Sequence, residues 1–154
     1  MKTPINIIFF VTLSTVFQVS FSQSKNDSLP TPPNCVWLYG NLFIDKTEIA
    51  NIHWLEYLYH LKNDSSESVY KMALPDTTVW LSFQDTLRFQ HYLRYPGYRY
   101  FPVVGITHKQ AVDYCKWRSQ AVNMKRKAEL KETKQVVFSF RLPSEKEWTF
   151  AAAG

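Results

Sequence analysis

Cysteine, histidine and acidic side chains are the residues through which this chain could carry redox, metal or acid–base chemistry. Its histidines are His53, His60, His91 and His108. No two of them form an H-x-x-x-H or H-E-x-x-H pair, the spacing that places two ligands on one face of a helix. Glu145 and Glu147 are two positions apart, so a helix would direct them to different faces. We therefore predict no catalytic residue, no metal ligand and no cofactor site.

The two cysteines leave two interpretations open. Cys35 and Cys115 are 80 positions apart, and one such pair does not make a disulfide framework. A disulfide between them would form only in an oxidising compartment. We favour the alternative, a buried free thiol at Cys115.

A capping box predicts the start of a long helix. Thr107 can accept a hydrogen bond from the N–H of Gln110, whose side chain can reach back to the N–H of Thr107. The helix is predicted to run to about Asn123, with Trp117 packing from its flank. The residues that share one face of this helix are Ala111, Cys115, Arg118 and Val122.

A second capping box opens a short helix at the other end of the chain. Ser144 and Glu147 have the required spacing and follow a proline. Trp148 then shares a face with residues 151–152, and Gly154 is a suitable C-terminal cap.

Residues 51–62 also have helical periodicity. Asn51 is assigned as the N-cap because Ala50 has no side-chain acceptor. The predicted apolar face consists of Leu55, Leu58, Tyr59 and Leu61.

Several stretches are rich in β-branched and aromatic residues, which favours strands. The predicted strands are residues 36–39, 41–44, 79–83 and 136–140. Residues 69–74 and 87–95 fit either a helix or a strand. Pro96 and Gly97 predict a turn.

Three separated blocks resemble, in the same order, the signatures of the formylglycine-generating-enzyme-like (sulfatase-modifying factor) domain family. They are FIDKTEIAN at residues 43–51, YFPVVGIT with QAVDYCKWR between residues 100 and 118, and RLPSEKEWTFAAAG at residues 141–154. Two shorter strings, PDTTVW at 75–80 and YPGY at 95–98, are similar to gliding-motility lipoproteins that serve the type IX secretion machinery of Bacteroidota.

The resemblance implies an α+β fold, namely the N-terminal part of the C-type-lectin-like sulfatase-modifying-factor fold. The family's copper-binding cysteine pair follows the last of these signatures, and neither Cys35 nor Cys115 matches that pair. Pro102 to Gly105, Arg141 and Trp148 are then expected to be scaffold residues, with Arg141 tying carboxylates or carbonyls.

The N-terminus has the pattern of an export signal. Lys2 is the only charged residue before position 25, and a mostly apolar run over residues 5–19 is followed by Ser-Phe-Ser. We predict a signal peptide at 1–22, a proline-containing linker at 23–34 and the domain at 35–154. The run is too short and polar for a transmembrane span, and no cysteine follows it to carry a lipid anchor. The predicted location is the periplasm or cell envelope.

The net charge of +5 is concentrated in one stretch. Its basic residues are Lys116, Arg118, Lys125, Arg126, Lys127, Lys131 and Lys134. The favoured interpretation is a solvated helix surface, and the alternative is a docking patch for an acidic surface. A nucleic-acid partner is not expected for an exported protein without a recognition motif.

Two functions are compatible with these patterns. The first is an exported, non-catalytic structural or protein-binding relative of the gliding-motility and type IX secretion components, with a protein partner in the cell envelope or secretion machinery. The second is the front half of a formylglycine-generating-type oxidase that lacks its catalytic cysteines. The sequence favours the first but does not decide whether the protein is an enzyme.

Overall fold

The computed structural model describes residues 30–83, 85–129 and 136–153. They form one two-stranded sheet and several helices, which is compatible with the predicted α+β class. The strands are β1, Cys35–Tyr39, and β2, Leu42–Asp45. The α-helices are α1, Asn51–Asp64, α2, Glu67–Met72, α3, Thr86–His91, α4, His108–Glu129, and α5, Glu145–Ala153. Two 3-10 helices are Thr77–Phe83 and Pro96–Tyr98.

Strands β1 and β2 form an antiparallel hairpin in which Cys35 lies opposite Asp45 and Trp37 opposite Phe43. The chain reverses at Gly40, whose φ of 50° lies in the left-handed region that glycine adopts readily. The indole N–H of Trp37 donates to the carbonyl of Gly40 at 3.0 Å and holds the turn. Both N-terminal strand predictions are confirmed.

The core lies between α1, α2 and α4 and is built mainly from aromatic rings. Trp54 stacks on Tyr114 with ring centroids 5.2 Å apart, and Tyr57 meets these two rings edge-on at 5.4 and 5.5 Å. The indole N–H of Trp54 donates to the carbonyl of Ala73 at 3.1 Å, so the buried ring leaves no unpaired donor. Leu58 completes the buried cluster.

Helix α1 begins differently from the prediction. Ala50 is the N-cap, and its backbone N–H donates to Nδ1 of His53 at 3.3 Å. Asn51 is the first helical residue and is fully buried. Its Nδ2 donates to the carbonyls of Tyr92 and Tyr98 at 3.2 and 2.9 Å. The N-cap prediction was wrong because this amide bonds to a distant segment rather than to its own helix.

The buried face of α1 also differs in part from the predicted one. Trp54, Tyr57 and Leu58 are buried, whereas Tyr59 is 67% exposed. Trp54, Tyr57 and Leu58 have the i, i+3, i+4 spacing of one helix face. The two aromatic residues, rather than the leucines and Tyr59, decide which face of α1 turns toward the core. The assignment of Tyr59 to the core was therefore wrong.

Residues 79–83 are not a strand. The carboxylate of Asp76 accepts hydrogen bonds from the backbone N–H and the hydroxyl of Thr78, at 2.9 and 2.6 Å. This local turn starts the 3-10 helix Thr77–Phe83. The strand prediction rested on the alternation of apolar and polar side chains over residues 79–83. It was wrong because the hydrogen bonds from Thr78 to Asp76 start a 3-10 helix in this segment.

The two ambiguous stretches are largely helical. Most of residues 69–74 belongs to α2, whose N-cap Ser66 accepts a hydrogen bond from the N–H of Val69. The first half of residues 87–95 belongs to α3, which is capped by Asp85 in the same way.

The loop that follows the 3-10 helix Pro96–Tyr98 closes against the start of α1. The N–H of Val103 donates to the carbonyl of Ile49 at 2.9 Å. Gly105 has a φ of 75°, and a Cβ at this position would lie 2.1 Å from the carbonyl oxygen of Asp76. Only glycine therefore fits where this loop meets the turn before the first 3-10 helix.

Helix α4 begins at its predicted cap and continues beyond its predicted end, to Glu129. The N–H of Thr107 donates to Oε1 of Gln110 at 2.6 Å, and the N–H of Gln110 donates to the hydroxyl of Thr107 at 3.2 Å. Nε2 of Gln110 also donates to the carbonyls of Met72 and Leu74, both at 2.9 Å. The capping box is confirmed and also joins α4 to the end of α2.

Residues 136–140 have no regular secondary structure and pair with no strand in the described part of the chain. Their hydrogen bonds fall on alternate residues, Phe138 and Phe140, as in an extended segment. Side chains of α4 supply their hydrogen bonds instead. Asn123 bonds to both the N–H and the carbonyl of Phe138, and Ser119 accepts from the N–H of Phe140. The strand prediction for residues 136–140 was wrong because their hydrogen-bond partners are side chains of α4 rather than a neighbouring strand.

Some predictions fall outside the described residues. They concern the signal peptide 1–22, most of the linker 23–34, Gly154, Lys131 and Lys134.

Candidate functional site

A cleft of about 760 Å³ lies between the β-hairpin, α4, the extended residues 136–143 and the first turn of α5. We call it the hairpin cleft. Its walls are mainly apolar, with side chains that include Leu38, Leu42, Ile44, Ile106, Phe138 and Trp148. An exposed apolar concavity of this size is typical of a binding surface.

An ion pair fixes the wall at which α4 meets the hairpin. The guanidinium of Arg118 makes two hydrogen bonds to the carboxylate of Asp45, at 2.6 and 2.7 Å. It also donates to the carbonyl of Pro33 at 3.2 Å and lies 4.1 Å from the ring centroid of Phe140. The side chains of Arg118 and Asp45 are only 13% and 26% exposed. Arg118 therefore joins the segment before β1, strand β2 and the extended segment.

Both cysteines line the hairpin cleft as free thiols. Cys115 is free as predicted, but it is only partly buried, and Cys35 is the buried cysteine. The thiol of Cys35 donates to Asp45 at 3.4 Å. Burial, followed by the negative charge of Asp45, raises the pKa of Cys35 to about 11. Burial also raises the pKa of Cys115. Both thiols are therefore protonated at neutral pH and are weak nucleophiles.

These residues do not fit the copper centre that the resemblance implies for catalytic relatives. A cysteine binds copper as a thiolate, whereas Cys35 keeps its proton on a hydrogen bond to Asp45. The oxygens of Asp45 are occupied by Arg118. Within residues 30–83, 85–129 and 136–153, no three histidine, cysteine or acidic side chains gather into a metal site. We derive no copper-dependent step for this cleft.

Arg141 forms an ion pair with Glu147 at the α5 end of the cleft. Its guanidinium makes two hydrogen bonds to the Glu147 carboxylate, at 2.7 and 2.6 Å, and one to the carbonyl of Leu142. The same carboxylate accepts from the N–H of Ser144, whose hydroxyl accepts from the N–H of Glu147. The hydrogen bonds from Arg141 and Ser144 lower the pKa of Glu147 to about 2. The second capping box is confirmed, and Arg141 ties a carboxylate and a carbonyl as predicted.

Replacing Ser144 by alanine is expected to lower the free energy of unfolding by about 1 kcal/mol. The N–H of Glu147 would lose its acceptor at the start of α5. Urea unfolding measures the change. Ser144→Asp, which keeps an acceptor, should stay within a few tenths of a kcal/mol of the unmodified protein. Equal losses in the two variants would contradict the capping role.

Trp148 is exposed, contrary to the scaffold role predicted for it. Its side chain is 63% exposed and lines the hairpin cleft. Phe150 is also exposed, and its ring meets Tyr39 of β1 edge-on at 5.4 Å. The prediction was wrong because no described element covers the face of α5 that bears the indole. Helix α5 thus adds an exposed aromatic ring to the cleft.

The basic stretch of α4 is partly neutralised on the helix itself. Asp113 pairs with Lys109 at 2.5 Å and with Lys116 at 3.4 Å, and the two lysines are 82% and 70% exposed while Asp113 is 34% exposed. Exposed pairs of this kind contribute little stability, which agrees with a solvated helix surface. Arg126 differs because its guanidinium lies 4.5 Å from the ring centroid of Phe138, beside the cleft.

A second depression of about 910 Å³ lies between α1 and α4. His60 stands there between Asp64, at 3.6 Å, and the ring of Trp117, at 5.5 Å. Charged side chains of both signs, including Glu56, Asp113 and Lys125, line it. None of the helices in the described ranges is long and apolar enough to cross a bilayer.

Comparison with known families identifies the class of protein. The family model described as the sulfatase-modifying factor enzyme 1-like domain matches residues 13–154. The chain therefore belongs to the sulfatase-modifying factor enzyme 1-like domain family, as its three signatures indicated. No curated protein and no solved structure matched the chain. The family match does not distinguish the gliding-motility subgroup, which stays a proposal.

Proposed function

We propose that this protein is an exported, non-catalytic member of its family that binds a protein partner through the hairpin cleft. The proposal includes a relationship to the gliding-motility and type IX secretion components, a partner in the cell envelope or secretion machinery, and the N-terminal part of a C-type-lectin-like fold. The observation that carries it is the exposed apolar wall of the cleft. Val137 and Trp148 expose 75% and 63% of their surface there.

The character of the cleft supports a protein partner. Aromatic residues are enriched in protein–protein interfaces because they bury a large area with few rotatable bonds. Trp148 projects from α5 into the cleft, and Phe138 and Phe140 add further aromatic rings to its lining. The thiols of the same cleft are protonated, which gives it no ready nucleophile.

Site-specific photo-crosslinking in cells tests the binding function. Val137 replaced by p-benzoylphenylalanine should yield one adduct, with a cell-envelope protein identified by mass spectrometry. Met72 is the matched control because it is also exposed but lies on α2, outside the cleft. The Val137 adduct should weaken when Trp148→Ala is added. No adduct from Val137, or the same adduct from both positions, would contradict the proposal.

The alternative is the front half of a formylglycine-generating-type oxidase without its catalytic cysteines, and the family match is consistent with it. Two observations separate the functions. Reading the DNA after codon 154 in all three frames shows whether cysteine-containing family signatures follow. Incubating the purified protein with copper and a Cys-x-Pro-x-Arg peptide should leave the cysteine unchanged. Conversion of that cysteine to an aldehyde would instead establish the oxidase.

Export is the second part of the proposal. The signal-like pattern predicts cleavage after Ser22, with a mature N-terminus at Gln23 and no lipid. N-terminal sequencing and mass spectrometry of the cell-envelope fraction measure both features. A protein that retains Met1, or a lipidated species in the membrane fraction, would contradict this expectation.

A further inference from the structure

A second group of aromatic rings lies in the segment 77–101, which holds α3 and both 3-10 helices. These rings contact one another in an unbroken series, with centroids 4.7 to 6.3 Å apart. We call this group the aromatic patch, and its members are Trp80, Phe83, Tyr92, Tyr95, Tyr98 and Phe101. None of them lines the hairpin cleft or the depression between α1 and α4.

The outer rings of the aromatic patch are strongly exposed. Phe83, Tyr95 and Phe101 expose 74%, 57% and 53% of their surface, and the adjacent Tyr100 exposes 77%. Tyr92 is the buried member, and its hydroxyl donates to the backbone of the following loop at 2.8 Å. The patch is therefore attached to the fold on its inner side and open to solvent on its outer side. Contiguous exposed apolar surface of this kind marks an interaction site.

Positive charge lies on the aromatic patch itself. The guanidinium of Arg88 lies 5.4 Å from the ring centroid of Trp80 and 6.0 Å from that of Tyr98. The guanidinium of Arg99 lies 5.8 Å from the exposed ring of Tyr100, which is next to the patch in the chain. These cations contact the rings directly, so a ligand that covers the rings also meets the charge.

Few carboxylates offset these cations. Asp85 is the one acidic residue between positions 77 and 101, and it pairs with Arg88 at 3.0 Å. Glu48 adds a negative charge near the buried ring of the patch. Arg94 and Arg99 are exposed and pair with no carboxylate in the described ranges. The outer side of the patch thus keeps two unpaired positive charges among exposed rings.

A bilayer surface fits this combination better than a protein partner does. Tryptophan and tyrosine concentrate at membrane interfaces because each has an apolar body and a polar tip. Arginine is attracted to anionic headgroups while its apolar stem stays among the neighbouring chains. Protein partners usually place their anchor residues in pockets. The aromatic patch lines neither of the two cavities described above, and a bilayer needs no pocket.

We infer that the aromatic patch docks the protein on the surface of a bilayer that contains anionic lipids. The exposed rings enter the boundary between headgroups and acyl chains, and Arg94 and Arg99 bind lipid phosphates. Docking of this kind requires neither a transmembrane span nor a lipid anchor. It uses a different surface from the hairpin cleft, so it is independent of the proposed partner binding.

Co-sedimentation with vesicles tests the inference. The chain should bind vesicles of phosphatidylcholine mixed with phosphatidylglycerol more tightly than vesicles of phosphatidylcholine alone, and raised salt should reduce the difference. Residues 5–19 are also apolar, so every comparison uses variants that share them. On binding, amide hydrogen exchange should slow within residues 80–101 and stay unchanged at residues 136–140 of the hairpin cleft. Equal binding to both vesicles, no binding, or protection confined to other segments would overturn the inference.

Two double variants separate the patch from the net charge. Arg94→Gln with Arg99→Gln should weaken binding to the anionic vesicles by about fivefold for each charge removed. Lys62→Gln with Lys127→Gln removes the same net charge from α1 and α4 and should have a smaller effect. Phe83→Ser should weaken binding to both kinds of vesicle by about tenfold, because the ring is exposed to the bilayer. Unfolding midpoints show that the variants are folded. Equal losses in the two double variants would mean that net charge, and not the patch, drives binding.

A protein is the competing occupant of the aromatic patch. Phe83 replaced by p-benzoylphenylalanine should crosslink to lipid in cells, which mass spectrometry detects as a lipid-sized mass increase. A discrete protein adduct at this position, with no vesicle binding, would overturn the inference and make the patch a protein-docking surface. If Val137 still crosslinks to its partner in that case, the proposed function of the hairpin cleft stands.

Discussion

Replacing Trp54 by alanine is expected to lower the free energy of unfolding by about 3–5 kcal/mol. The side chain is 1% exposed and stacks on Tyr114, so its loss leaves a cavity between α1 and α4. It also leaves the carbonyl of Ala73 without its donor. Chemical denaturation followed by circular dichroism measures the change.

Trp148→Ala is the matched control because it deletes the same side chain from an exposed site. With 63% of its surface in solvent, Trp148 should contribute less than about 1 kcal/mol to folding. In the partner-crosslinking experiment Trp148→Ala should still weaken the adduct, since the indole of Trp148 is exposed in the hairpin cleft. A loss for Trp148→Ala as large as that for Trp54→Ala would mean that the indole of Trp148 is buried.

Features that depend on a few adjacent residues were predictable from the sequence. Both capping boxes form because hydroxyl and carboxylate or amide lie three positions apart, a distance that the helix itself sets. The hairpin was predictable for the same reason, since Gly40 permits the reversal between two short apolar strands. In these cases local geometry and the final fold agree.

Features that depend on distant segments were not predictable. Asn51 has a good N-cap side chain, yet its amide bonds to carbonyls that lie more than 40 positions later. Residues 136–140 have strand-like composition, but whether a strand or a helix lies beside them depends on where α4 packs. Trp148 falls on the apolar face of its own helix, and only the neighbours of that helix decide its exposure.

The hairpin cleft shows the same limit for the candidate site. Its walls combine the hairpin, α4 and residues 136–143, and no local motif joins them. Asp45 and Arg118 each lie in a sequence block that resembles a family signature. Nothing in the sequence indicated that they form an ion pair across 73 positions. Their ion pair forms part of the cleft wall, and the two residues come together only when the chain folds.

Replacing Arg118 by alanine is expected to cost roughly 2–4 kcal/mol, a little below the 3–5 kcal/mol typical of a fully buried pair. The carboxylate of Asp45 would remain largely buried, at 26% exposure, with Cys35 as its remaining described partner. Lys116→Ala removes a cation from the same helix, but one that is 70% exposed, and should change stability by less than about 1 kcal/mol.

The difference between the stability losses of Arg118→Ala and Lys116→Ala shows whether the Arg118–Asp45 pair contributes more than a surface charge does. Denaturant titration of each variant measures the two losses. Adding Asp45→Ala to Arg118→Ala should recover part of the loss, because no unpaired charge is then buried. Hydrogen exchange should also quicken in β2 and around Phe140, since Arg118 contacts both. If Arg118→Ala is no worse than Lys116→Ala, the pair does not hold the hairpin against α4. The cleft wall would then depend on apolar contacts alone, and the position of residues 136–140 beside α4 would rest on Asn123 and Ser119.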